Sequence, residues 1–355
     1  MTIHIVGRGL ACSLGLNIED ALAALRNDAG TTQPRVLPGA MGGEFPYHAI
    51  PLGHPDWYQR LREIVLRVAD EADAERARDG ALFIATSSFD IGAVEPAEVA
   101  DYGGDYRIFV DQVAAWLKWR GPVHAVSTAC TSSLNALMAA RALLDAGEVE
   151  HALVFGIELD NRLTLGGFAA LQLLSRTGGK PFGAGRDGLV LGEAVAALRL
   201  STRETSSWRL CGGANVVDGS QPTGASASAL AAMYQRALEG SGLAASEIDL
   251  IKVQAAGSSG NDEAEAQALR AAFGQIPPLV SFKAAIGHTM GASGAAEIAL
   301  LTACLEQGVW PTVVDAVDPA LGVALAECAP ESARRVMATI LGFGGSHASV
   351  VLERI

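Results

Sequence analysis

Cys130–Gly147 reads CTSSLNALMAARALLDAG, and Gly291–Gly308 reads GASGAAEIALLTACLEQG. Both stretches are 18 residues long, open on small residues with serine, and close on an acidic residue, one spacer and a glycine, the signature of a helix C-cap. They lie 161 residues apart in a chain of 355, close to half its length. A β-like run precedes each one, Val123–Val126 before the first and Leu279–Phe282 before the second. A duplicated α/β unit accounts for this better than a short repeat array. Two Ala/Leu-rich helices can also resemble each other by chance, and the flanking motifs decide between the readings.

Further β-like runs at Ile3–Val6, Ala81–Ala85, His151–Phe155 and Ala194–Leu200 alternate with helical stretches. Asp249–Val253, Arg335–Leu341 and Ala348–Leu352 continue the alternation, which predicts an α/β fold with helices on both sheet faces. The natural boundary falls between Leu200 and Trp208, at the polar stretch Ser201–Ser207, so the expected halves are residues 1–204 and 205–355.

Composition narrows the function. The chain is 50% hydrophobic, enough for a large core, and carries a net charge of -13. That charge argues against nucleic-acid or membrane surfaces, both of which need a basic face. No apolar run is long enough to span a bilayer, and Met1–Val6 reads as a first strand rather than a signal peptide. Five dispersed cysteines (Cys12, Cys130, Cys211, Cys304, Cys328), with no C-x-x-C and no metal-ligand spacing to the seven histidines, fit a reducing cytoplasm.

Three segments can carry chemistry. In Val126-Ser-Thr-Ala-Cys130-Thr-Ser-Ser133 a strand runs through a tight turn into a helix, which places Cys130 near the positive end of a helix dipole, a setting that favours a thiolate. A buried structural cysteine is the other reading. In Ser281-Phe-Lys283-Ala-Ala-Ile-Gly-His288-Thr-Met-Gly, a glycine-flanked His288 stands about one turn before the second echoed helix, with Lys283 placed to orient it. If the halves are related by a pseudo-twofold, the two helices meet centrally, and a neutral His288 can donate to the oxyanion of a thioester on Cys130. In Ile340-Leu-Gly-Phe343-Gly-Gly-Ser-His347, the glycines can bring a backbone N–H against a reacting carbonyl, with Phe343 gating the pocket.

These motifs resemble the β-ketoacyl-ACP synthase family, in its elongating type from fatty-acid and polyketide systems. Ile3–Gly15 resembles the family's opening strand and glycine turn, Gly121–Ser133 its nucleophile segment, and Lys180-Pro-Phe-Gly-Ala-Gly-Arg-Asp187-Gly-Leu-Val-Leu-Gly192-Glu193 its central stretch. Lys283 with Gly287-His288, and Gly342-Phe343-Gly-Gly, complete five motifs in order across nearly the whole chain. The resemblance implies a thiolase-like fold, two duplicated α/β halves in a five-layered αβαβα sandwich, working as a dimer. It implies that Cys130 accepts an acyl chain, that the backbone N–H groups of Cys130 and Phe343 form an oxyanion hole, and that Lys283 and His288 are the family's lysine and second histidine. Acyl and malonyl groups would arrive on the phosphopantetheine of acyl carrier protein, with no further cofactor and no metal. Thr164–Arg176 would wall the acyl pocket.

The sequence departs from the pattern in one decisive place. The family's first histidine lies in His-Gly-Thr-x-Thr, and the matching stretch here is Val253-Gln-Ala-Ala256-Gly-Ser-Ser-Gly-Asn-Asp262-Glu-Ala-Glu265. Ala256 takes the histidine's place, while Asp262 and Glu265 keep the acidic pair. Decarboxylative condensation stabilises an enolate with two imidazoles, and losing one such donor costs about 10²–10³ in rate. Loading Cys130 needs only a thiolate and an oxyanion hole. His347 stands where the family usually has Asn, four residues after Phe343, either as a partial substitute for the missing imidazole or as a structural hydrogen-bonding group. The carrier-protein face is weak: Glu98–Arg107 is mostly acidic, leaving Lys118, Arg120, Lys180 and Arg186 as candidate contacts. Three readings follow: a synthase with altered chemistry, a non-elongating acyltransferase of the same fold, or a non-catalytic subunit resembling a chain length factor that pairs with a full ketosynthase.

Overall fold

Ten strands repeat one pattern twice. In the computed structural model, which describes the chain apart from residues 29–31, 38–42, 96–104 and 221, the first five are β1 (His4–Cys12), β2 (Ala81–Ala85), β3 (Val123–Val126), β4 (His151–Glu158) and β5 (Ala194–Ser201). The second five are β6 (Trp208–Val217), β7 (Leu250–Lys252), β8 (Leu279–Val280), β9 (Arg335–Leu341) and β10 (Ser346–Arg354). The first set is ordered β1-β5-β4-β2-β3 and the second β6-β10-β9-β7-β8, each label raised by five. Strand senses match as well: two antiparallel pairings followed by two parallel ones in each set. Between the sets, β1 and β6 are registered through one residue pair, His4 with Arg209. The echoed helices therefore reflect a duplicated unit.

Alternation along the strands builds the layers. Ala81, Phe83 and Ala85 face a central core with Leu134 and Leu137, while Leu82 and Ile84 face Ile64, Val65 and Phe109. In the second half Val336, Ala338 and Ile340 turn inward, and Met337 and Leu341 turn toward Met233 and Tyr234. Six helices fill the layers: α1 (Trp57–Glu71) and α2 (Tyr106–Trp116) outside one sheet, α4 (Ala227–Ser241) and α5 (Ser259–Ala272) outside the other, and α3 (Ser132–Asp145) with α6 (Ser293–Gln307) between them. This is the five-layered sandwich expected. From Ser293 to Leu305 every residue of α6 is buried, as expected of a helix enclosed on all sides. Small residues let α3 and α6 cross closely: Ser133 Oγ donates to the Gly291 carbonyl at 2.5 Å, and a Cβ at Gly294 would meet Leu134 at 2.7 Å.

Several expectations need correction. β1 extends beyond Ile3–Val6 through Gly7 and Gly9 to Cys12 before a turn that closes on Gly15; a Cβ at Gly7 or Gly9 would strike the carbonyl of Ala72 or Val68, so close packing of α1 selects these glycines. β6 carries no strand signal in sequence because Gly212 and Gly213 interrupt its alternation. A Cβ there would meet the Gly240 carbonyl at 2.5 Å and the Ser349 carbonyl at 2.7 Å, so close packing of α4 and β10 selects the glycines. A second, three-stranded sheet of Gln33–Leu37, Gly43–His48 and Leu191–Gly192 was also not anticipated. The pocket-wall helix spans Arg162–Ala170, not 164–176; the chain leaves it through Leu171 and a left-handed Gln172 (φ 57°).

Candidate active site

The turn after β3 presents the cysteine. Ala129 takes a left-handed φ of 52°, an uncommon conformation costing about 1–3 kcal/mol in a non-glycine residue. Small hydroxyls hold it. Thr131 Oγ1 donates to the Thr128 carbonyl at 2.7 Å, and Ser132 Oγ donates to the Ala129 carbonyl at 2.6 Å while accepting the Thr128 N–H at 2.9 Å. Cys130 is buried, and its Sγ lies 3.0 Å from His288 Nε2. The backbone N–H groups of Phe343 and of Cys130 itself are also directed at the sulfur.

The second half delivers His288 through its backbone. Its N–H donates to the Val190 carbonyl at 2.7 Å, and its carbonyl accepts from Gly192 at 3.1 Å. Gly287 makes the preceding turn at φ 71°; a side chain there would meet the Leu191 carbonyl at 2.8 Å. Lys283 Nζ sits 3.0 Å from His288 Nδ1, 3.2 Å from Ser293 Oγ, and in contact with Glu297 Oε1. An ammonium only donates, so Nδ1 accepts, and the ring proton rests on Nε2, facing the sulfur. Burial, then Lys283 and Lys252, hold His288 well below the ordinary histidine range, so the ring is a neutral donor. Lys252 closes the chain from the other side, its Nζ 2.6 Å from Glu297 Oε2. Lys252, Lys283 and Glu297 are all almost wholly buried. Sequence reading passed over Lys252, Glu297 and Ser293, although a Glu alone within the apolar stretch Gly294–Leu301 and a lone Lys in an apolar strand were visible signals of a buried pair.

The expectation of a dipole-stabilised thiolate is not met in this state. Burial pushes the Cys130 thiol up to about 11, against the lowering effects of Lys283 and the Phe343 N–H. α3 begins only at Ser132, and desolvation outweighs what its terminus supplies. The direction predicts that Lys283→Met slows alkylation of Cys130 by iodoacetamide by about tenfold or more at pH 8, since a nearby cation typically shifts an anion by a unit or more. The check is a pH–rate profile of both proteins with unchanged circular dichroism; an unmoved profile refutes the electrostatic role of Lys283.

Asp262 and Glu265 brace the loop and also line the cavity that holds the sulfur. Asp262 accepts the backbone N–H groups of Phe182, Ala256 and Gly257 at 2.8–3.1 Å. Glu265 accepts those of Gln254 and Ala255 at 2.8 Å each. Burial raises the two carboxyls to about 6 and about 7. Cys130, His288, Phe343, Gln254, Ala256 and His347 line one cavity of about 20 Å³, room for roughly one water. Phe343 is half-buried and stacks on Phe168 of Arg162–Ala170, with ring centroids 5.0 Å apart and planes 16° apart. Ala256 belongs to the apolar cluster of Met290 and Phe343 and lines the cavity, so the place expected for an imidazole offers no side-chain donor.

Of the cationic candidates, Arg120 pairs with Asp79 and Arg186 with Asp318, Lys180 Nζ donates to the Gly185 carbonyl at 3.0 Å, and Lys118 is exposed. In the acidic stretch, 98–104 lies outside the described residues, and Asp105 pairs with Arg107. Among the described residues no helix is long and apolar enough to cross a membrane.

Comparisons with known proteins place the chain in a family. Family models for the "Beta-ketoacyl synthase, N-terminal domain" and "Beta-ketoacyl synthase, C-terminal domain" match residues 85–206 and 211–316. Spectinabilin polyketide synthase system protein NorA' of Streptomyces orinoci is 32% identical over 302 residues, covering 74% of this chain and 8% of that protein. A 3-oxoacyl-[acyl-carrier-protein] synthase 2 of Rhizobium meliloti is 29% identical over 271 residues, covering 68% of this chain and 63% of that protein. The matched region is thus a small part of the large polyketide synthases and somewhat under two thirds of the free-standing synthase. A ketosynthase (ApeO) in complex with its chain length factor (ApeC) from Xenorhabdus doucetiae superposes with a TM-score of 0.85 at 25% identity, covering 100% of this chain and 98% of that one. A β-ketoacyl synthase from Burkholderia phymatum gives 0.84 at 25% identity, covering 100% and 99%. Five ordered motifs, a twice-repeated five-stranded unit and a Cys130–His288 pair brought together from opposite halves have one common explanation: the chain belongs to the β-ketoacyl synthase family.

Proposed function

We propose that this protein is an acyltransferase of fatty-acid or polyketide assembly that carries an acyl chain as a thioester on Cys130. The observation that carries the reading is the 3.0 Å approach of His288 Nε2 to Cys130 Sγ, with Lys283 fixing the ring proton. In loading, Cys130 sulfur attacks the carbonyl of a thioester on the phosphopantetheine of acyl carrier protein. The tetrahedral oxyanion accepts the N–H groups of Cys130 and Phe343, the carbon–sulfur bond to pantetheine breaks, and the proton lost by Cys130 ends on the departing thiol. Residues 1–204 supply the nucleophile and 205–355 supply Lys283, His288 and the Gly342–Gly345 loop; no cofactor beyond the carrier's arm is needed.

The test is incubation with hexanoyl-carrier protein and with hexanoyl-N-acetylcysteamine thioester, followed by intact-mass and peptide mass spectrometry. The expected result is one acyl adduct on Cys130, absent from Cys130→Ala. Absence of an adduct from both donors overturns the proposal.

Ala256 favours a second reading, a subunit resembling a chain length factor that pairs with a complete ketosynthase. A heterodimer with such a synthase, together with an unreactive Cys130, supports that reading. A homodimer that loads Cys130 excludes it.

A further inference from the structure

We infer that His347 is a second hydrogen-bond donor of the acyl site, serving the thioester oxygen of an incoming carrier-bound malonyl group, with Gln254 accepting an N–H from that group's pantetheine arm. The inference deepens the acyltransferase reading and rests on it. Its starting point is two buried polar side chains that the fold leaves without partners. His347 is 1% exposed, and neither ring nitrogen meets a hydrogen-bonding group among the described residues. Gln254 is 7% exposed, and its Oε1 is likewise unpartnered there. A buried polar group left without a partner opposes folding, and two facing one cavity call for a reason. That cavity is the one lined by Cys130 and His288.

Position supports a ligand rather than a structural bond. His347 pairs with Leu341 and Val216 in β10 and shares its strand face with Val351, whose neighbours are apolar. At the strand end this face opens into the cavity beside Phe343 and Gly342, next to the backbone of Cys130; a Cβ at Gly342 would lie 3.5 Å from the Cys130 nitrogen. Burial holds His347 below the ordinary histidine range, with Asp218 opposing, so the ring is neutral and keeps one N–H to donate. Ala256, on the same cavity, offers no donor from its side chain.

The chemistry this permits is decarboxylative condensation. With an acyl group on Cys130, a malonyl thioester enters and its carbon–carboxylate bond breaks. CO2 leaves, and the electron pair passes into an enolate whose oxygen accepts from His288 Nε2–H and from His347. The enolate carbon then attacks the acyl carbonyl, the bond to Sγ breaks, and Cys130 leaves as a thiolate.

The experiment measures CO2 release from malonyl-N-acetylcysteamine thioester by the full-length protein after acyl loading. His347→Ala is expected to lower kcat about 10²–10³-fold, the usual effect of removing one oxyanion donor, with unchanged circular dichroism. His347→Gln, which keeps a donor, retains substantially more activity than His347→Ala. Gln254→Leu is expected to raise KM about tenfold with kcat little changed, the pattern of lost uniform binding. Unchanged circular dichroism reports intact folding in every variant. CO2 release unaltered in His347→Ala, or absent from a parent protein that loads Cys130, overturns the inference and leaves the acyltransferase reading standing. Failure of the parent to load Cys130 overturns both.

Discussion

Glu297→Gln is expected to lower unfolding free energy by about 3–5 kcal/mol, the cost of leaving buried charge uncompensated. Each oxygen of Glu297 serves a different ammonium, Oε1 to Lys283 and Oε2 to Lys252, and all three side chains are at most 1% exposed. An amide in its place neutralises neither lysine and turns donor hydrogens toward one of them. The helix offers no escape, since α6 is enclosed from Ser293 to Leu305. The measurement is urea unfolding, read as a lower midpoint at unchanged slope. Adding Lys252→Met should recover part of the loss by removing one of the two stranded charges.

The same variant has a signed pH dependence. Burial already holds Lys252 below its ordinary value in the parent protein. Without Glu297 it must fall further. Between the folded value and the ordinary lysine value of about 10.4, the unfolded chain binds more protons, so the contribution of this group to stability rises with pH. The buried thiols Cys12, Cys130 and Cys304, pushed up to about 12, about 11 and about 12, act in the opposite sense, but they are common to both proteins and cancel in the difference. The deficit of Glu297→Gln should therefore shrink as pH rises toward about 8, where Lys252 of the parent protein itself loses its proton, and level off above it. A deficit independent of pH would mean that lost packing, not stranded charge, causes it.

The chain announces its fold more clearly than its site. Helical echoes and alternating strands are statements about hydrophobic period, and the period is what the layers enforce; Ala81–Ala85, Val123–Val126 and Arg335–Leu341 coincide with strands because each face of those runs meets a different core. β6 escaped notice because Gly212 and Gly213 are chosen by neighbouring backbone rather than by exposure, so no period survives. Cys130, Lys283, His288 and Phe343 were legible as local motifs, each near a turn. Their convergence was not, because it joins segments 158 residues apart through crossing helices. Lys252, Glu297 and Gln254 belong to no motif; only the third dimension shows that the first two form an ion pair and that the third lines the sulfur's cavity together with His347.

Moving the imidazole from position 347 to position 256 is expected to restore what removing it destroys. Ala256 and His347 line the same cavity of about 20 Å³, too small for a second ring while the first remains. Ala256→His alone should therefore be overpacked against Phe343 and Met290 and lose about 1–3 kcal/mol of stability, the usual cost of excess volume in a closed core. His347→Ala vacates one ring's volume together with one donor. In the double variant the introduced imidazole has room and faces the same reacting oxygen, so CO2 release from the malonyl thioester should rise about 10²–10³-fold above His347→Ala. The two substitutions must then be strongly non-additive in both stability and rate, a coupling that a double-mutant cycle measures directly. Additive losses in rate would show that the two positions do not serve a common oxygen. Recovery of stability without recovery of rate would assign His347 a packing role and place the missing donor elsewhere in the site.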